Sequence, residues 1–273
     1  MTYQTILYEV RGAVGLLTLN RPERVNAINA AMLEEIGRAL DAAEAAAGVR
    51  AVVVTGAGNA FSSGFDLKEQ AERSPSGTAE WRPILRRDFD TVMRFWHLSK
   101  PTIAAVRGPC LAGACELMLA CDLTVAGESA TFGEPELRFG AGIVVLLLPW
   151  LVGPKRAKHM LFTGADRLSA RRAEALGLVN EVVDDAVVLE RALALARELA
   201  VIDPMVLRQT KRAVNRSYEI MGLGEALEAA LEIDLQIEGV GSIDKREFME
   251  IARKEGLRAA IAWRDRRFAS GDG

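Results

Sequence analysis

Hydrophobic and polar positions in the first part of the chain form short β-branched runs separated by longer stretches with helical spacing. Apolar runs of about four to eight residues that alternate with helices are typical of parallel strands buried on both faces. The predicted strands are residues 13–19, 50–55, 101–106 and 123–126, and the predicted helices between them are residues 30–47 and 81–97. This part of the chain is therefore predicted to have an α/β fold.

The pattern changes beyond residue 154, where strand-like runs nearly vanish. Only residues 177–183 retain one, and helical segments follow. Asp203 followed by Pro204 is a typical helix start, because the carboxylate can accept N–H groups of the first turn and proline fits the first helical position. We predict an α/β core over residues 1–200 and an all-helical C-terminal region over residues 201–273.

Composition and charge narrow the range of partners. The chain has 273 residues with 34 Lys and Arg against 37 Asp and Glu, which gives a formal charge of -3. Such a chain has no overall attraction to nucleic acid or to anionic membranes. The longest apolar run, residues 143–152, is about half the length of a membrane span, and no signal peptide opens the chain. We expect a soluble, cytoplasmic protein that binds neither nucleic acid nor membranes.

Few side chains are available for metal or thiol chemistry. The two histidines and three cysteines do not form the close pairs that metal clusters require. The cysteines are predicted to be buried apolar side chains without disulfides, and the histidines to lie at or near the surface. These residues are His97, His159, Cys110, Cys115 and Cys121. Any chemistry is therefore expected to depend on carboxylates and backbone groups, without a bound metal.

One candidate carboxylate lies in an apolar segment, CLAGACELMLACDLTVA at residues 110–126, whose only charges are Glu116 and Asp122. Burying an unpaired carboxylate is costly, so an acid in such a run is exposed, paired or functional. Taken alone, the pattern favours the ordinary interpretation, in which Glu116 marks the polar stripe of a half-buried helix. The alternative is that N–H groups near Gly113, at the helix start, hold a developing anion beside Glu116.

A second candidate site is the loop TGAGNAFSSGFDLKE at residues 55–69, which follows a predicted parallel strand. Loops in this position are the usual ligand sites of parallel sheets, and glycines allow a ligand to approach the backbone closely. Phe61 occupies the third glycine position of a dinucleotide motif, so pyrophosphate binding is poorly supported. Ser62 and Ser63 are not within a G-x-S-x-G motif, which disfavours a serine hydrolase.

A third candidate segment, TFGEPELRFGAG at residues 131–142, places Glu134 and Glu136 on either side of Pro135. Proline fixes the local backbone and can hold a neighbouring carboxylate in one direction. The alternative interpretation is an ordinary exposed acidic turn. Glu116 and Glu136 are separated by about the length of a helix, a strand and a turn, so both could reach one cleft.

Taken together and in order, the segments of this chain resemble the enoyl-CoA hydratase/isomerase (crotonase) superfamily over nearly the whole length. The resemblance implies a core of repeated ββα units and a C-terminal helical region that builds trimers, often paired into hexamers. The segments that carry it are LTLNRPERVNAIN (17–29), RAVVVTGAGNAFSSGFDLKE (50–69), KPTIAAVRGPCLAGACELMLACDLTVA (100–126), ATFGEPEL (130–137) and GLVNEVV (177–183).

The resemblance implies an acyl-CoA thioester as the substrate, and it assigns site residues. The thioester oxygen would accept hydrogen bonds from the backbone N–H groups of Phe65 and Gly113. Glu116 and Glu136 match the two glutamates that manage the attacking water and the α-carbon proton. The residues that match the family's contacts to coenzyme A are Arg24, Ser63, Asp66, Leu67 and Lys68.

The implied activity is enoyl-CoA hydration without a cofactor, coenzyme A being part of the substrate. One alternative is an isomerase, hydrolase or lyase of the same family that acts on an unusual acyl group. Another is a non-catalytic acyl-CoA-binding protein. Val144 falls where hydratases have a glycine whose N–H helps to hold the water, and valine lacks the conformational freedom of glycine. The large side chain of Phe65 would narrow the thioester site.

Overall fold

The computed structural model describes residues 2–269. Its strands are β1 (Ile6–Arg11), β2 (Val14–Leu19), β3 (Ala51–Gly56), β4 (Thr102–Val106), β5 (Pro109–Leu111), β6 (Leu123–Gly127), β7 (Thr131–Gly133), β8 (Leu168–Ser169) and β9 (Glu181–Val183). Its α-helices are α1 (Ala30–Ala45), α2 (Leu67–Arg73), α3 (Gly77–His97), α4 (Gly113–Ala120), α5 (Leu148–Val152), α6 (Pro154–Thr163), α7 (Ala170–Leu176), α8 (Val188–Val201), α9 (Pro204–Ile220), α10 (Leu223–Val240), α11 (Ile243–Glu255) and α12 (Leu257–Ala269). Strands and helices are interspersed as far as β9 and helices follow, which confirms the predicted fold class.

The main sheet has six strands in the order β1-β2-β3-β4-β6-β9. The β1 and β2 strands pair antiparallel, and every other neighbouring pair is parallel. A smaller sheet joins β5, β7 and β8. Each of the four strands predicted before residue 154 is present in the main sheet within one residue of its predicted bounds, whereas the run at residues 177–183 is a strand only over β9. The edge strand β1 was not predicted, because most of its residues are exposed and it lacks a buried apolar run.

Alternate residues of the main sheet face two different layers of helices. In β3, Ala51 and Val53 pack against α8, whereas Val52 and Val54 face the larger core formed with α1, α3 and α4. The side chains of β4 are all buried, as expected for a central parallel strand covered on both faces. This arrangement leaves the loops at the strand ends to form the site.

Capping side chains fix the start of the C-terminal helices. Asp203 accepts hydrogen bonds from two N–H groups in the first turn of α9, and Pro204 is the first residue of that helix, as predicted. Helix α10 packs along α3, while α11 and α12 pair with each other. The ring of Phe248 in α11 stacks on Phe139, with ring centroids 4.9 Å apart. The C-terminal helices therefore cover the loops of the core, and a domain boundary near residue 200 stays a prediction.

The apolar run at residues 143–152 is helical only over α5. In the irregular turn before that helix, the N–H groups of Val144 and Val145 donate to the Glu116 side chain instead of to helical carbonyls. Trp150 packs against the main core. Within residues 2–269, no helix is both long enough and apolar enough to cross a bilayer.

Candidate active site

A cavity of about 730 Å³ lies between the loops of the core and helices α10 to α12. Gly113 and Glu116 adjoin it through Ala112 and Val144, which form part of its wall. The other predicted site residues line it directly, and they are Arg24, Ser63, Phe65, Asp66, Leu67, Lys68 and Glu136. The fold therefore brings all the predicted site residues to one cleft.

Glu116 is held rigidly behind the cavity wall. Every residue of α4 is buried, and Glu116 is only 1% exposed, so the interpretation of a polar helix stripe was wrong. Its Oε1 accepts the N–H of Val144 at 3.2 Å and its Oε2 accepts the N–H of Val145 at 3.0 Å. Burial raises the pKa of Glu116 well above its usual value, and nearby carboxyl groups raise it further, whereas the two N–H donors oppose this shift.

Glu134 and Glu136, which belong to the segment at residues 131–142, lie close to the Glu116 side chain. Both are buried, so the interpretation of an exposed acidic turn was also wrong. Glu136 begins a short 3-10 helix that runs to Phe139, and Pro135 precedes it. One carboxylate oxygen each from Glu116, Glu134 and Glu136 lie within 4.8 Å of one another. The prediction that Glu116 and Glu136 share a cleft is confirmed, and Glu134 is a third member that the sequence analysis did not select.

Three carboxyl groups this close cannot all be ionised without strong repulsion. Burial is the main cause that raises the pKa of Glu136 to about 8, and it raises the pKa of Glu134 well above its usual value. The Oε2 atoms of Glu134 and Glu136 are buried and accept no hydrogen bond from an N–H or O–H group in the described part of the chain. A proton shared between the two carboxyl groups would satisfy both oxygens, with Glu134 as the donor.

The same three oxygens are close enough to hold a metal ion, which would be an all-carboxylate site suited to a hard cation. Both oxygens of Glu116 already accept backbone N–H groups. Carboxyl groups with raised pKa values also bind protons in preference to releasing them at neutral pH. The donor set therefore fits proton storage better than metal binding.

Two backbone N–H groups at and near the start of α4, the helix that carries Glu116, make no hydrogen bond within the described residues. Ala112 has φ +57° and ψ −137°, an unusual conformation for alanine that sets the direction in which α4 begins. Among residues 2–269, neither the N–H of Phe65 nor that of Gly113 donates to a protein acceptor. The Phe65 ring lies against Gly113, where a Cβ atom would collide with it. Gly113 is thus the residue that lets the ring and the start of α4 approach each other.

The mouth of the cavity carries basic side chains together with one carboxylate that is already paired. Asp66 caps α2, and its Oδ2 accepts a hydrogen bond from Arg21 at 2.8 Å, so its charge is used within the protein. Arg24 and Lys68 line the mouth and are exposed. Arg258 of α12 also lines the cavity, and the sequence gives no signal for it because the final helices carry many basic residues.

The predictions for histidine and cysteine are confirmed. His97 and His159 are exposed, and the three cysteines are buried and free of disulfides. Burial raises the pKa of the Cys115 thiol well above its usual value, and the neighbouring Glu134 adds to this effect. Cys115 is therefore unsuited to act as a nucleophile, because a nucleophilic cysteine needs a stabilised thiolate.

Comparisons with known proteins agree with this geometry. The family model described as "Enoyl-CoA hydratase/isomerase" matches residues 9–250. A crystal structure of an enoyl-CoA hydratase/isomerase from Xanthobacter autotrophicus Py2 is 65% identical with a TM-score of 0.96, covering 97% of this chain and 99% of that one. The 2,3-dehydroadipyl-CoA hydratase of Escherichia coli is 38% identical, covering 81% of this chain and 84% of the relative. The short-chain-enoyl-CoA hydratase of Clostridium acetobutylicum is 34% identical, covering 80% and 84%.

Proposed function

Because the chain belongs to the enoyl-CoA hydratase/isomerase family, we propose that it adds water across the 2,3 double bond of an acyl-CoA thioester. The observation that carries this proposal is the position of Glu116 and Glu136. Two buried carboxyl groups meet at the wall of a cavity of about 730 Å³, which Phe65 lines and which the start of α4 adjoins. Hydration needs an acid, a base and a site for negative charge, and we assign these roles to the two carboxyl groups and to the N–H groups of Phe65 and Gly113.

The N–H groups of Phe65 and Gly113 form the site for negative charge in this proposal. When water attacks the β-carbon, electron density moves through the conjugated system to the thioester oxygen. Fixed N–H dipoles stabilise that charge without having to reorganise. The Phe65 side chain is no obstacle to this role, because the main chain supplies the donor and the ring packs against Gly113.

In this proposal Glu116 acts as the base and Glu136 as the acid. Burial raises the pKa of Glu116, but the N–H donors from Val144 and Val145 oppose this shift, and Glu116 takes the proton from the attacking water in its ionised form. Glu136 has a pKa of about 8 and is mostly protonated at neutral pH, so it can deliver a proton to the α-carbon. Glu134 positions Glu136 through the shared proton and touches no substrate.

Coenzyme A enters as part of the substrate, and the reaction uses no separate cofactor. We assign its contacts to Arg24, Ser63, Asp66, Leu67 and Lys68 at the mouth of the cavity. Arg24 and Lys68 supply positive charge for phosphate groups. Asp66 contributes through its backbone and its capping of α2, because its carboxylate is already paired with Arg21.

The direct test is to mix the purified protein with crotonyl-CoA and follow the loss of enoyl absorbance. We expect steady turnover and formation of a 3-hydroxyacyl-CoA. Absence of turnover across short, long and aromatic enoyl-CoAs, by a protein that is folded by circular dichroism, would refute the proposal. Acyl-CoA binding without turnover on any of these thioesters would favour a non-catalytic binding protein.

We also propose that the protein assembles as a trimer or a dimer of trimers in the cytoplasm. In the single chain, α9 buries none of its residues. Large apolar side chains remain exposed along α9 and α10, and they include Val206, Val214, Ile220, Ile233 and Ile237. Exposed apolar side chains on two neighbouring helices support an interface between subunits. Light scattering after size-exclusion chromatography measures the assembly, and a monomer at micromolar concentration would exclude it.

The free cysteines fit a reducing compartment, which supports the proposed cytoplasmic location.

A further inference from the structure

The cavity also holds a second set of charged side chains that the reaction does not require. Asp234 and Glu238 of α10 and Lys245 of α11 line it, and each is buried. The charges of Asp234 and Lys245 lie near enough to Glu136 to affect its pKa. A pocket that receives a plain hydrocarbon chain is expected to be lined by apolar residues, because buried polar groups lose their hydration. These three residues, here called the distal end, therefore indicate that the chain bound in this cavity is polar.

Two of the three distal-end side chains form an ion pair with each other. Lys245 donates to Glu238 Oε2 in a buried ion pair. The other oxygen of Glu238 accepts the N–H of Gly142 at 3.2 Å. The ammonium group of Lys245 also lies 4.5 Å from the centre of the Trp81 ring, where the face of the indole attracts a cation. Glu238 and Lys245 thus need no ligand to compensate their charges.

Asp234 has no hydrogen-bond partner of this kind, although the nearby charge of Lys245 opposes the rise of its pKa. Its side chain is one of the least exposed charged groups of the protein, at 2%, and neither carboxylate oxygen accepts a hydrogen bond from a group in residues 2–269. Gly142 lies so close that a Cβ atom there would collide with Asp234 Oδ1, which places the carboxylate against the turn that precedes Val144. A buried carboxylate with both oxygens unpartnered requires a hydrogen-bond donor from outside the protein.

We propose that the acyl group of the substrate carries a hydrogen-bond donor, a hydroxyl or amino group, and that Asp234 accepts it. This inference rests on the proposed function and names its substrate class. A plain alkyl chain would displace any solvent and leave Asp234 buried without a partner. A carboxylate-ended chain would meet the carboxylates of Asp234 and Glu238, while the ammonium group of Lys245 is already paired with Glu238. A donor without negative charge is the group that this end of the cavity can bind.

Three sets of enoyl-CoAs of matched chain length test the inference, ending in a methyl, a hydroxyl or a carboxylate group. We expect kcat/KM for the best hydroxyl-ended substrate to exceed that of its methyl-ended equivalent by about 10- to 100-fold, as for a site built around a substrate hydrogen bond. The carboxylate-ended series should be the poorest. Equal rates for methyl and hydroxyl ends, or a preference for the carboxylate, would overturn the inference.

The variant Asp234→Leu removes the acceptor while keeping a similar side-chain volume. We expect it to lose the preference for the hydroxyl end and to accept the methyl-ended series several-fold better than the wild type does. Glu225→Gln is the matched control, because Glu225 is an exposed acid on the same helix, and it should retain the wild-type preference. A Leu variant that is folded and keeps the hydroxyl preference would assign that preference to another residue and contradict the inference.

Binding of saturated acyl-CoAs separates this inference from the proposed function. Calorimetry on the wild type should give a lower Kd for the hydroxyl-ended than for the methyl-ended thioester, whether or not any enoyl-CoA is hydrated. Binding with this preference but no hydration would refute the proposed reaction and support the distal end as a donor site. Hydration with equal Kd values for the two ends would support the reaction and refute the donor site.

Discussion

The two ends of the cavity both bury carboxyl groups, but they compensate them differently. At the reaction end, Glu116 is held by two N–H groups, and Glu134 and Glu136 face each other with oxygens that one proton can satisfy. At the distal end, Glu238 is paired with Lys245 while Asp234 has no partner. The carboxyl groups at the reaction end therefore find their partners within the protein, whereas we infer that Asp234 at the distal end finds its hydrogen-bond donor in a ligand. Substitutions at the reaction end should lower activity, and removal of the Asp234 charge should raise the free energy of unfolding.

The largest effect is expected at the reaction end. Glu116→Gln and Glu136→Gln should each lower kcat by about 100-fold or more, because an amide can neither take nor deliver the proton. The measurement is the steady-state rate with crotonyl-CoA, or with the best substrate found. Glu190→Gln on α8, an exposed acid on the far side of the sheet, should leave kcat unchanged. Activity that survives both substitutions would remove this pair from the mechanism.

Removing the charge at the distal end should stabilise the free protein. Burial is the main cause that raises the pKa of Asp234 from 3.8 to about 6, so the folded state keeps its proton at pH values where the unfolded chain has lost it. At about 1.4 kcal/mol per pH unit, the ionised carboxylate costs about 3 kcal/mol of folding free energy. The protonated Asp234 side chain contributes fully to the free energy of unfolding below pH 3.8, and this contribution is lost as the pH rises through about 6.

Asp234→Asn mimics the neutral form and should therefore raise the free energy of unfolding at pH 7.5, with little gain near pH 4. Urea unfolding of the ligand-free protein at both pH values measures the difference, with Glu225→Gln as the exposed control. Equal stabilities of the wild type and the Asn variant at pH 7.5 would mean that Asp234 is satisfied inside the protein, and the contrast between the two ends would disappear.

The sequence predicted the central strands well for a physical reason. Each parallel strand is a short run buried on both faces, and such a run differs from any surface segment. The pattern made candidates of Glu116, within an apolar segment, and of Glu136, beside Pro135, but it fitted exposed positions as well. The resemblance to the hydratase family selected the pair. Glu134 was harder to select, since its burial depends on how the turn folds back against Cys115 and Glu136.

The distal end could not be read from the sequence in the same way. Asp234 and Glu238 are four residues apart, and this spacing also occurs on the exposed face of an ordinary amphipathic helix. Their burial follows from the packing of α10 along α3 and against the turn at Gly142, and from the packing of α11 against Gly140. A tertiary arrangement of that kind leaves little local signal. The pattern LEIDLQIEGV at residues 231–240, with acids between apolar residues, indicates it only weakly.

An intermediate effect is expected at the free N–H groups. Gly113→Ala should lower kcat by about 10- to 100-fold, because the added methyl group collides with the Phe65 ring and displaces one of the two donors. Phe65→Ala should have a smaller effect, since it keeps its own N–H. Combining the two changes should recover part of the loss, because the smaller side chain at 65 makes room for the methyl group. A double variant as poor as the product of the single effects would show that the two positions are independent.

The smallest expected effect is a shift in the pH dependence of kcat, which depends on how Glu134 and Glu136 are protonated. If Glu134 donates the shared proton to Glu136, then Glu134→Gln keeps a donor at that place and Glu134→Leu removes it. Loss of a donor disfavours the ionised form of Glu136 and raises its pKa further above about 8. Since Glu136 must be protonated to act as the acid, the alkaline limb of the kcat profile should move to higher pH in the Leu variant but not in the Gln variant. Profiles of kcat against pH for the three proteins measure this shift. Coincident alkaline limbs would show that Glu134 only fills space, and the reaction end would then contain an unpartnered carboxyl group like that of Asp234.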